Sequence, residues 1–368
     1  MHIESLKLYH FRNLKDQTVH FNAGANFIVG KNGQGKTNLV EAINLLSIGR
    51  SFRTTGLDEL IRWKEKSCSV FATVNTSSGR IDLGVAIEGE SRKAYLDGEQ
   101  VEFVGAFLGK LLCISFSPTD IALVKGSPQE RRKFLDKHMV DLEPQLMTAL
   151  VDYHKALRNK NALLKAGVSD ARALDTWNEL LAAAALKIHL GRAQFLADLQ
   201  DRAAKIYAKF SADDGAVTLG LKSSAFASET PVTIEGLLER YAQVRDREIH
   251  FRASAIGPHR DEVQIDLAGN PARAFASQGQ SRSIVLSLKL AVLELLEQRR
   301  NERPVILLDD VESELDAARR AALVALIYER ECQTFITGTE QHQGNLSSSQ
   351  KALELIISGG EIESKNQG

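Results

Sequence analysis

The fold class is decided by Gly30-Lys31-Asn32-Gly33-Gln34-Gly35-Lys36-Thr37, which matches the phosphate-loop pattern G-x-x-x-x-G-K-T. The apolar run 26–29 before it is typical of a buried strand, and residues 38–46 after it carry apolar side chains at helical spacing. Such a loop points its backbone N–H groups and a helix N-terminus at phosphate. The alternative is a glycine-rich turn that binds nothing, but such a turn does not require a buried strand before it and an amphipathic helix after it. We therefore predict an α/β fold with a nucleotide phosphate site.

The chemistry of this loop, known as Walker A, assigns roles to its side chains. Lys36 is predicted to reach the β- and γ-phosphates, and the Thr37 hydroxyl to ligate Mg²⁺. The glycines allow a tight turn and a close approach of the backbone to the anion. The predicted ATP contacts within the loop are Gly30, Lys31, Asn32, Gly33, Gln34, Gly35, Lys36 and Thr37.

The composition excludes several other classes of protein. Hydrophobic residues make up 43% and charged residues 25% of the 368 residues, as in a soluble globular protein, and this length suggests two lobes. The net charge of −1 gives no global basic field, so any contact with nucleic acid must come from a local patch or from oligomerisation. The three cysteines lack metal or redox spacing and indicate reduced thiols in a cytoplasmic protein. We see no run of about 18 apolar residues, so no membrane span is predicted.

A second motif of nucleotide-binding proteins lies near the other end of the chain. Four apolar residues, 305–308, predict a buried strand, and Asp309 and Asp310 follow it directly. Ligands bind at the carboxyl ends of strands in open α/β sheets. We expect Asp309 to hold Mg²⁺ opposite Thr37, and Asp310 to orient or deprotonate the attacking water. The alternative is a strand followed by an acidic turn, which is common by itself but less so beside a phosphate loop.

The segment Ser277-Gln278-Gly279-Gln280 precedes a helix and the second motif, and taken alone it is also compatible with an ordinary capped helix start. It resembles the S-x-G-Q form of the signature motif of ATP-binding-cassette ATPases. In that family the signature contacts the γ-phosphate held by the other subunit of a head-to-tail dimer. The resemblance implies that Ser277, Gly279 and Gln280 bind ATP, and that Lys36, Asp310 and Ser277 are the catalytic residues. Residues 313–316, Ser-Glu-Leu-Asp, resemble the D-loop of the same family, which crosses the dimer interface.

The order of these motifs predicts an ABC-type P-loop ATPase head interrupted by an insertion. We expect the head to comprise residues 1–118 and 255–368, with an antiparallel β subdomain at 68–104 marked by the Asp97-Gly98 hairpin signal. Residues 119–254 are mainly helical in pattern and predict an inserted lobe. From periodicity alone this lobe is either a lid or arm of antiparallel helices or a plain helical bundle.

Three departures from the cassette pattern affect the expected mechanism. Asp310 stands where cassette transporters usually have glutamate, and residues 337–340 lack the family's switch histidine. No convincing Q-loop glutamine can be placed. A shorter carboxylate is compatible with slow hydrolysis, which favours an ATP-timed switch over a fast motor.

The opening of the chain narrows the family. Phe11-Arg12-Asn13 lies ahead of a phosphate loop that begins only about 30 residues into the chain. This arrangement resembles SMC-like ATPase heads, in which an arginine at this place reaches the phosphates. The resemblance implies that Arg12 and Asn13 also contact ATP. Taken together, the motifs resemble the RecF family of bacterial recombination and repair proteins. The segments that carry this resemblance are 11–14, 30–37, 49–53, 116–118, 125–128, 131–136, 257–261, 277–280, 308–310 and 313–316.

The resemblance implies a function in DNA replication, recombination and repair. It implies ATP-dependent homodimerisation on double-stranded or gapped DNA, weak DNA-dependent ATPase activity with ATP and Mg²⁺ as cofactors, and recombinase loading together with recombination mediator proteins. Candidate DNA contacts are the local basic residues Arg131, Arg132, Lys155 and Arg158, although such clusters are usually solvated helix faces.

Two other functions remain open from the sequence. A P-loop kinase of a small molecule would need an acceptor pocket and no signature motif. A cassette subunit of a membrane importer would dock on a membrane partner. The early phosphate loop, Arg12 and the missing histidine disfavour the importer, and the signature motif disfavours the kinase.

Overall fold

The structure, a computed structural model, describes residues 1–54, 56–102, 106–211, 215–226, 231–310, 317–338 and 352–366. The chain forms two compact units, one from Met1–Asp120 with Lys289–Gly368 and the other from Ile121–Leu288. Residues 255–288, which the sequence assigned to the head, therefore fall in the second unit. They belong there because the strand Glu262–Leu267 pairs along its length with the strand Val217–Lys222.

Within the described ranges, the strands and helices are numbered in chain order. The strands are β1 (His2–Tyr9), β2 (Gln17–His20), β3 (Ala25–Val29), β4 (Ser67–Thr76), β5 (Gly79–Glu88), β6 (Ser91–Leu96), β7 (Glu99–Val101), β8 (Cys113–Phe116), β9 (Val217–Lys222), β10 (Glu262–Leu267), β11 (Asn270–Pro271), β12 (Val305–Leu308), β13 (Thr334–Gly338), β14 (Leu353–Ser358) and β15 (Glu361–Asn366). The α-helices are α1 (Lys36–Ile48), α2 (Ala122–Lys125), α3 (Pro128–Leu142), α4 (Leu146–Lys165), α5 (Ala171–Phe210), α6 (Ile234–Phe251), α7 (Ala272–Phe275), α8 (Gln278–Arg300) and α9 (Ala317–Tyr328).

A mainly parallel sheet carries both nucleotide motifs of the first unit. Its strand order is β15-β14-β3-β13-β12-β8, and only the edge pair β14 and β15 is antiparallel among the strands described. All four residues of β12 are buried, as expected of a parallel strand covered on both faces. The carboxyl ends of β3, β12 and β13 lie at one edge of the sheet, where a ligand site is expected.

An antiparallel sheet in the order β2-β1-β4-β5-β6-β7 completes the first unit, confirming the predicted β subdomain. The Asp97-Gly98 turn joins β6 to β7, with φ of 51° and 84° at its two residues. Both angles are positive, as a tight two-residue hairpin turn requires, and the Asp-Gly pair tolerates them.

Helix α1 lies between the two sheets of this unit. It contacts β4 and β5 of the antiparallel sheet and β8 and β13 of the parallel sheet. Every residue from Leu39 to Ser47 is buried, because both sides of the helix are covered. This burial includes the polar residues Glu41 and Asn44, which must find partners inside the protein.

The second unit is helical with a small sheet in the order β11-β10-β9. Helix α5 runs for 40 residues without a break and contacts α3, α4, α6 and β9. Its first turn is capped by Asp170, whose carboxylate accepts a hydrogen bond from the Arg172 backbone N–H at 3.1 Å. Gly191 brings neighbouring side chains close, since a Cβ there would lie 2.8 Å from Met139 Sδ.

By length and composition, one 18-residue window of α5 is long and apolar enough to cross a membrane, although its apolar residues do not form one unbroken run. The criterion covers length and composition only, and 44% of the window is buried inside the protein. Leu181, Ala185 and Ile188 are all buried. This packing is that of the core helix of a helical unit.

Candidate nucleotide-binding site

The phosphate loop links β3 to α1, as predicted, and two of its glycines are required by their surroundings. Gly30 has φ of 154°, and a Cβ there would lie 2.4 Å from the Ile357 carbonyl oxygen on β14. Gly35 has φ of 120°, and its Cβ would lie 2.6 Å from Leu14 Cδ2. The loop is therefore wedged between neighbouring backbone and side chains in a shape that only glycine permits at these positions.

Lys36 lies folded back on its own loop. Its Nζ donates hydrogen bonds to the carbonyl oxygens of Gly30 at 2.6 Å and Lys31 at 3.2 Å. These contacts hold the ammonium group within the turn where phosphate oxygens are expected. The neighbouring Gln34 accepts a hydrogen bond from the Gly359 backbone N–H at 2.6 Å, which ties the loop to the turn between β14 and β15.

Asp309 connects the two nucleotide motifs. Its Oδ1 accepts hydrogen bonds from the Thr37 hydroxyl at 3.0 Å and from the Thr337 hydroxyl at 3.1 Å. Thr37 is 272 residues away in sequence and lies at the start of α1, whereas Thr337 comes from β13. The parallel order β3-β13-β12 brings these residues together at the edge where the three strands end. Asp310 follows with φ of 51°, its side chain exposed and its backbone N–H donating to the Thr337 hydroxyl at 2.8 Å.

Burial raises the pKa of Asp309, an effect opposed by the hydroxyl donors of Thr37 and Thr337 and reinforced by the charge of Asp310. A cation at this place would favour the ionised carboxylate. The donor set, one carboxylate and one hydroxyl 3.0 Å apart beside a phosphate loop, fits Mg²⁺, which takes few protein oxygens and completes its shell with substrate phosphates and water. Within the described parts of the chain, no cluster of three or more His, Cys, Asp or Glu offers a self-sufficient metal site.

Arg12 is held by a buried carboxylate that the sequence analysis missed. Its Nε and Nη2 donate to the two carboxylate oxygens of Glu41 at 3.0 and 2.8 Å, in a bidentate pair. Glu41 lies on α1 and is fully buried, whereas the Arg12 side chain is 18% exposed. The Ser51 hydroxyl also donates to Glu41. Arg12 is thus anchored to α1 through a carboxylate in the second turn of that helix.

A chain of polar side chains continues from this pair to the phosphate loop. Asn13 Nδ2 donates to the Gly33 carbonyl oxygen at 3.2 Å, and Asn38 Nδ2 donates to Asn13 Oδ1 at 2.7 Å. Arg53 donates to Asn38 Oδ1 at 2.8 Å and lies 3.7 Å from Glu41. Asn13 is therefore in contact with the phosphate loop, its predicted contact with ATP stays a prediction, and Arg53 is a second cation at the site.

Sequence reasoning missed Glu41, Asn38, Arg53 and Thr337. The signal available for Glu41 was a charged residue inside an otherwise apolar helix, which indicates either an exposed face or a buried partner. For Thr337 the only signal was its place near the end of a buried strand, in the region 337–340 where the cassette family has its switch histidine.

The signature segment lies in the second unit and begins α8. Ser277 N–H donates to Gln280 Oε1 at 2.8 Å, and Gln280 N–H donates to Ser277 Oγ at 3.1 Å. This reciprocal pair is a capping box, in which Ser277 caps the helix. Ser277 is exposed and Gly279 half-buried at the helix N-terminus, the arrangement expected of an anion site.

Two predicted features lie outside the described residues. The D-loop candidate spans 313–316, and half of the switch-histidine region, 339–340, is likewise not described.

The four candidate DNA contacts differ in exposure. Arg131 is 4% exposed, and its guanidinium donates to Glu262 at 2.8 Å and to the carbonyl oxygen of Gly126 at 3.2 Å. Its prediction as a DNA contact is not supported, because the side chain is buried and engaged. Arg132 is half-buried and donates to the Asp261 carbonyl oxygen at 2.7 Å. Lys155 and Arg158 are exposed on α4.

The turn 257–261, one of the segments that carry the family resemblance, is held in a buried hydrogen-bond network. Asp261 is buried and accepts hydrogen bonds from Arg192 at 3.1 Å and from Ser223 at 3.1 Å. His259 shares a 2.6 Å hydrogen bond with Tyr153, and burial lowers the pKa of His259 to about 4. A neutral histidine in a buried network is typical of a structural element.

Comparisons with known proteins bear on the whole chain. A family model described as RecF/RecN/SMC N terminal domain matches residues 2–357. DNA replication and repair protein RecF of Limosilactobacillus reuteri (strain DSM 20016) is 36% identical over 346 residues, covering 92% of each chain. The protein of the same name from Heliobacterium modesticaldum (strain ATCC 51547 / Ice1) is 35% identical over 372 residues, covering 100% of both chains.

Solved structures give the same result at the level of the fold. A structure of the recombination mediator protein RecF-ATP in the RecFOR pathway has a TM-score of 0.89 at 32% identity, covering 99% of this chain and 97% of that one. An Smc head domain with an extended coiled coil from Pyrococcus furiosus has a TM-score of 0.57 at 16% identity, covering 99% of this chain and 96% of that one. The second likeness shows the fold of an SMC-type ATPase head.

Proposed function

The chain belongs to the RecF/RecN/SMC family and, within it, to the RecF proteins of DNA replication and repair; from this premise we propose that it is an ATP-dependent DNA-binding protein of recombinational repair. ATP and Mg²⁺ drive two copies to dimerise on double-stranded or gapped DNA. The dimer hydrolyses ATP slowly and assists recombinase loading with recombination mediator proteins in the cytoplasm. The full-length likeness to RecF proteins leaves the kinase and importer alternatives without support.

The observation that carries the proposal is the hydrogen bond between Thr37 and Asp309. It joins the first turn of the phosphate-loop helix to the end of β12 at 3.0 Å. A hydroxyl and a carboxylate at this separation can share one Mg²⁺ beside the loop. Two motifs that are far apart in sequence therefore form one site.

We assign the steps at this site to the following residues. Lys36 exchanges its two loop carbonyls for the β- and γ-phosphate oxygens, because charged oxygens are stronger acceptors. Thr37 and Asp309 would hold Mg²⁺, which would neutralise charge on the phosphates. Asp310 orients the attacking water. Arg12 and Asn13 remain proposed nucleotide contacts, with Arg12 oriented by its pair with Glu41.

The signature completes the site in trans under this proposal. Ser277 keeps its capping hydrogen bond as an acceptor, so its O–H remains available to donate to a γ-phosphate oxygen. Gly279 adds its backbone N–H at the start of α8, whereas the N–H of Gln280 is already used in the capping bond that holds Ser277 in place. Because a second copy must deliver these groups, ATP rather than ADP is expected to stabilise the dimer.

For DNA, exposure favours Lys155 and Arg158 over Arg132, which is half-buried. Such phosphate contacts position a duplex without reading its sequence. Affinity is therefore expected to fall as salt rises.

The decisive experiment is sedimentation velocity with ATP, ADP or no nucleotide, each with and without gapped duplex DNA. The proposal predicts a dimer with ATP alone among the three nucleotide conditions, and tighter DNA binding by that dimer. Asp309→Asn serves as the matched control, since it keeps the shape of the side chain but removes the charge that holds Mg²⁺. A monomer at saturating Mg²⁺ and ATP, with or without DNA, would refute the proposal.

A further inference from the structure

The backbone just before the signature is anchored by a lysine from a distant segment. The short helix α7 ends at Phe275, and Ala276 turns into extended backbone with its N–H bonded to the Ala272 carbonyl oxygen at 3.1 Å. Ser277 follows directly and caps α8. The direction in which α7 ends therefore sets where the signature serine begins.

Lys125, the last residue of α2, reaches the carbonyl end of α7. Its Nζ donates to the carbonyl oxygens of Ala272 at 3.2 Å and Arg273 at 3.1 Å, and also to that of Ala276. An ammonium group has three N–H donors, so these contacts use all of them. Carbonyl groups in the last turn of a helix carry partial negative charge, which a lysine stabilises.

Lys125 is itself held in place by its neighbours. Gly126 packs so tightly that a Cβ would lie 2.4 Å from the Ala122 carbonyl oxygen. Arg131 donates to the carbonyl oxygens of Val124 at 3.4 Å and Gly126 at 3.2 Å. The same guanidinium bonds to Glu262 on β10 at 2.8 Å, so α2 is fixed to the small sheet of the second unit.

These contacts form a continuous support for the signature within one unit. It runs from Glu262 through Arg131 to α2, and from Lys125 to the last turn of α7. No contact in it involves the Ser277 side chain, so the support acts on the backbone alone. It also explains two basic residues of the segment 125–131 without any contact to nucleic acid.

We propose that Lys125 is a positioning residue for the signature: it fixes the backbone at Ala276 so that Ser277 meets the γ-phosphate held by a second copy of the chain. This rests on the proposed function, because the serine acts only in an ATP-bound dimer. If Lys125 acts through the signature, its loss lowers turnover and dimerisation. ATP binding by the monomer is unchanged, because it depends on the chain's own phosphate loop.

The test compares Lys125→Met with Lys133→Met. Lys133 makes an exposed pair with Glu130 at 3.0 Å on α3 and serves as a control for losing one lysine of this unit. Measured on the dilute monomer, the ATP affinity of Lys125→Met should stay within about twofold of wild type, because binding in cis does not use the signature. Turnover should fall by about 10- to 100-fold, the usual effect of misplacing a catalytic group slightly. Lys125→Arg, which keeps the charge, should recover part of the turnover. The control variant Lys133→Met should keep the turnover of wild type.

Mixing two variants tests the action in trans. Asp310→Asn binds ATP but lacks the water-orienting carboxylate, and its signature is intact. In a mixed dimer with Lys125→Met, one composite site combines an intact phosphate loop with an intact signature. Turnover of the mixture should therefore exceed the sum of the two variants measured separately.

Several results would overturn the inference. Wild-type turnover in Lys125→Met would show that the three carbonyl contacts do not matter for the signature. Weakened ATP binding by the monomer, or no recovery on mixing, would show a general structural defect instead. If wild type itself neither dimerises nor hydrolyses ATP, the proposed function fails, and the inference fails with it.

Discussion

Replacing Arg12 should destabilise the nucleotide-free first unit much more than replacing Arg53, although both arginines lie next to Glu41. Arg12 makes two hydrogen bonds to Glu41, at 3.0 and 2.8 Å, and its side chain is 18% exposed. Arg53 lies 3.7 Å from the same carboxylate and is 45% exposed. The two substitutions to alanine therefore differ mainly in how far each removes the compensation of the buried Glu41 charge.

The magnitudes follow from this geometry. Removing one partner of a buried ion pair costs about 3–5 kcal/mol, since the other charge stays buried. For Arg12→Ala we expect the lower end, about 3 kcal/mol, because Ser51 and Arg53 still stabilise Glu41. For Arg53→Ala we expect about 1 kcal/mol, as for an exposed pair with one further hydrogen bond to Asn38.

Hydrogen exchange of the α1 amides measures this difference in the unit concerned. Since about 1.4 kcal/mol corresponds to a factor of ten, Arg12→Ala should speed exchange in residues 39–47 by about a hundredfold and Arg53→Ala by about fivefold. Arg80→Ala is the control, because Arg80 is 62% exposed and pairs only loosely with Glu4, at 3.7 Å. Equal acceleration by the two site variants, or none with Arg12→Ala, would refute the reasoning.

Three further predictions concern the phosphate loop and the metal site. Because burial raises the pKa of Asp309, the folded state binds its proton more tightly than the unfolded chain, so stability falls as pH rises through that pKa. Without nucleotide, the Tm of Asp309→Asn should therefore rise relative to that of wild type as pH increases from about 4 to 7. The variant should also lose the increase in Tm that Mg²⁺ and ATP give to wild type. A Tm difference that does not depend on pH would contradict this reasoning. Gly30→Ala should lower the stability of the first unit by about 2–4 kcal/mol, because the added Cβ would meet the Ile357 carbonyl oxygen. Hydrogen exchange of the β3 amides measures this loss, and unchanged exchange would contradict a tightly packed phosphate loop. Lys36→Arg should reduce turnover more than ATP affinity in parallel measurements, and unchanged turnover would rule out Lys36 at the phosphates.

The sequence by itself determined the features that depend on short stretches of chain. The phosphate loop, the apolar strand before Asp309, the Asp97-Gly98 hairpin and the capped start of α8 at Ser277 all follow from neighbouring residues. In each case the backbone conformation or a contact over three or four residues carries the information. A pattern of this length can therefore be read without knowing the neighbours in space.

The tertiary structure alone decided which distant residues meet. The strand order places Thr337 beside Asp309, whereas the sequence marks this position only by the absence of a switch histidine. The burial of α1 on both sides turns Glu41 into the partner of Arg12, and the packing of α2 against α7 gives Lys125 its carbonyl contacts. These contacts arise from how elements pack, which local pattern does not encode.

The same limit explains the two predictions that the structure changes. A basic run on a helix predicts an exposed patch, but Arg131 is buried because β10 brings Glu262 to its guanidinium. A change from helical to strand-like pattern predicts a domain boundary near residue 255, but pairing between β9 and β10 keeps the chain in the second unit up to Leu288. Sequence pattern specifies each element's own conformation, whereas pairing across long separations, which sets burial and domain membership, is fixed only when the whole chain packs.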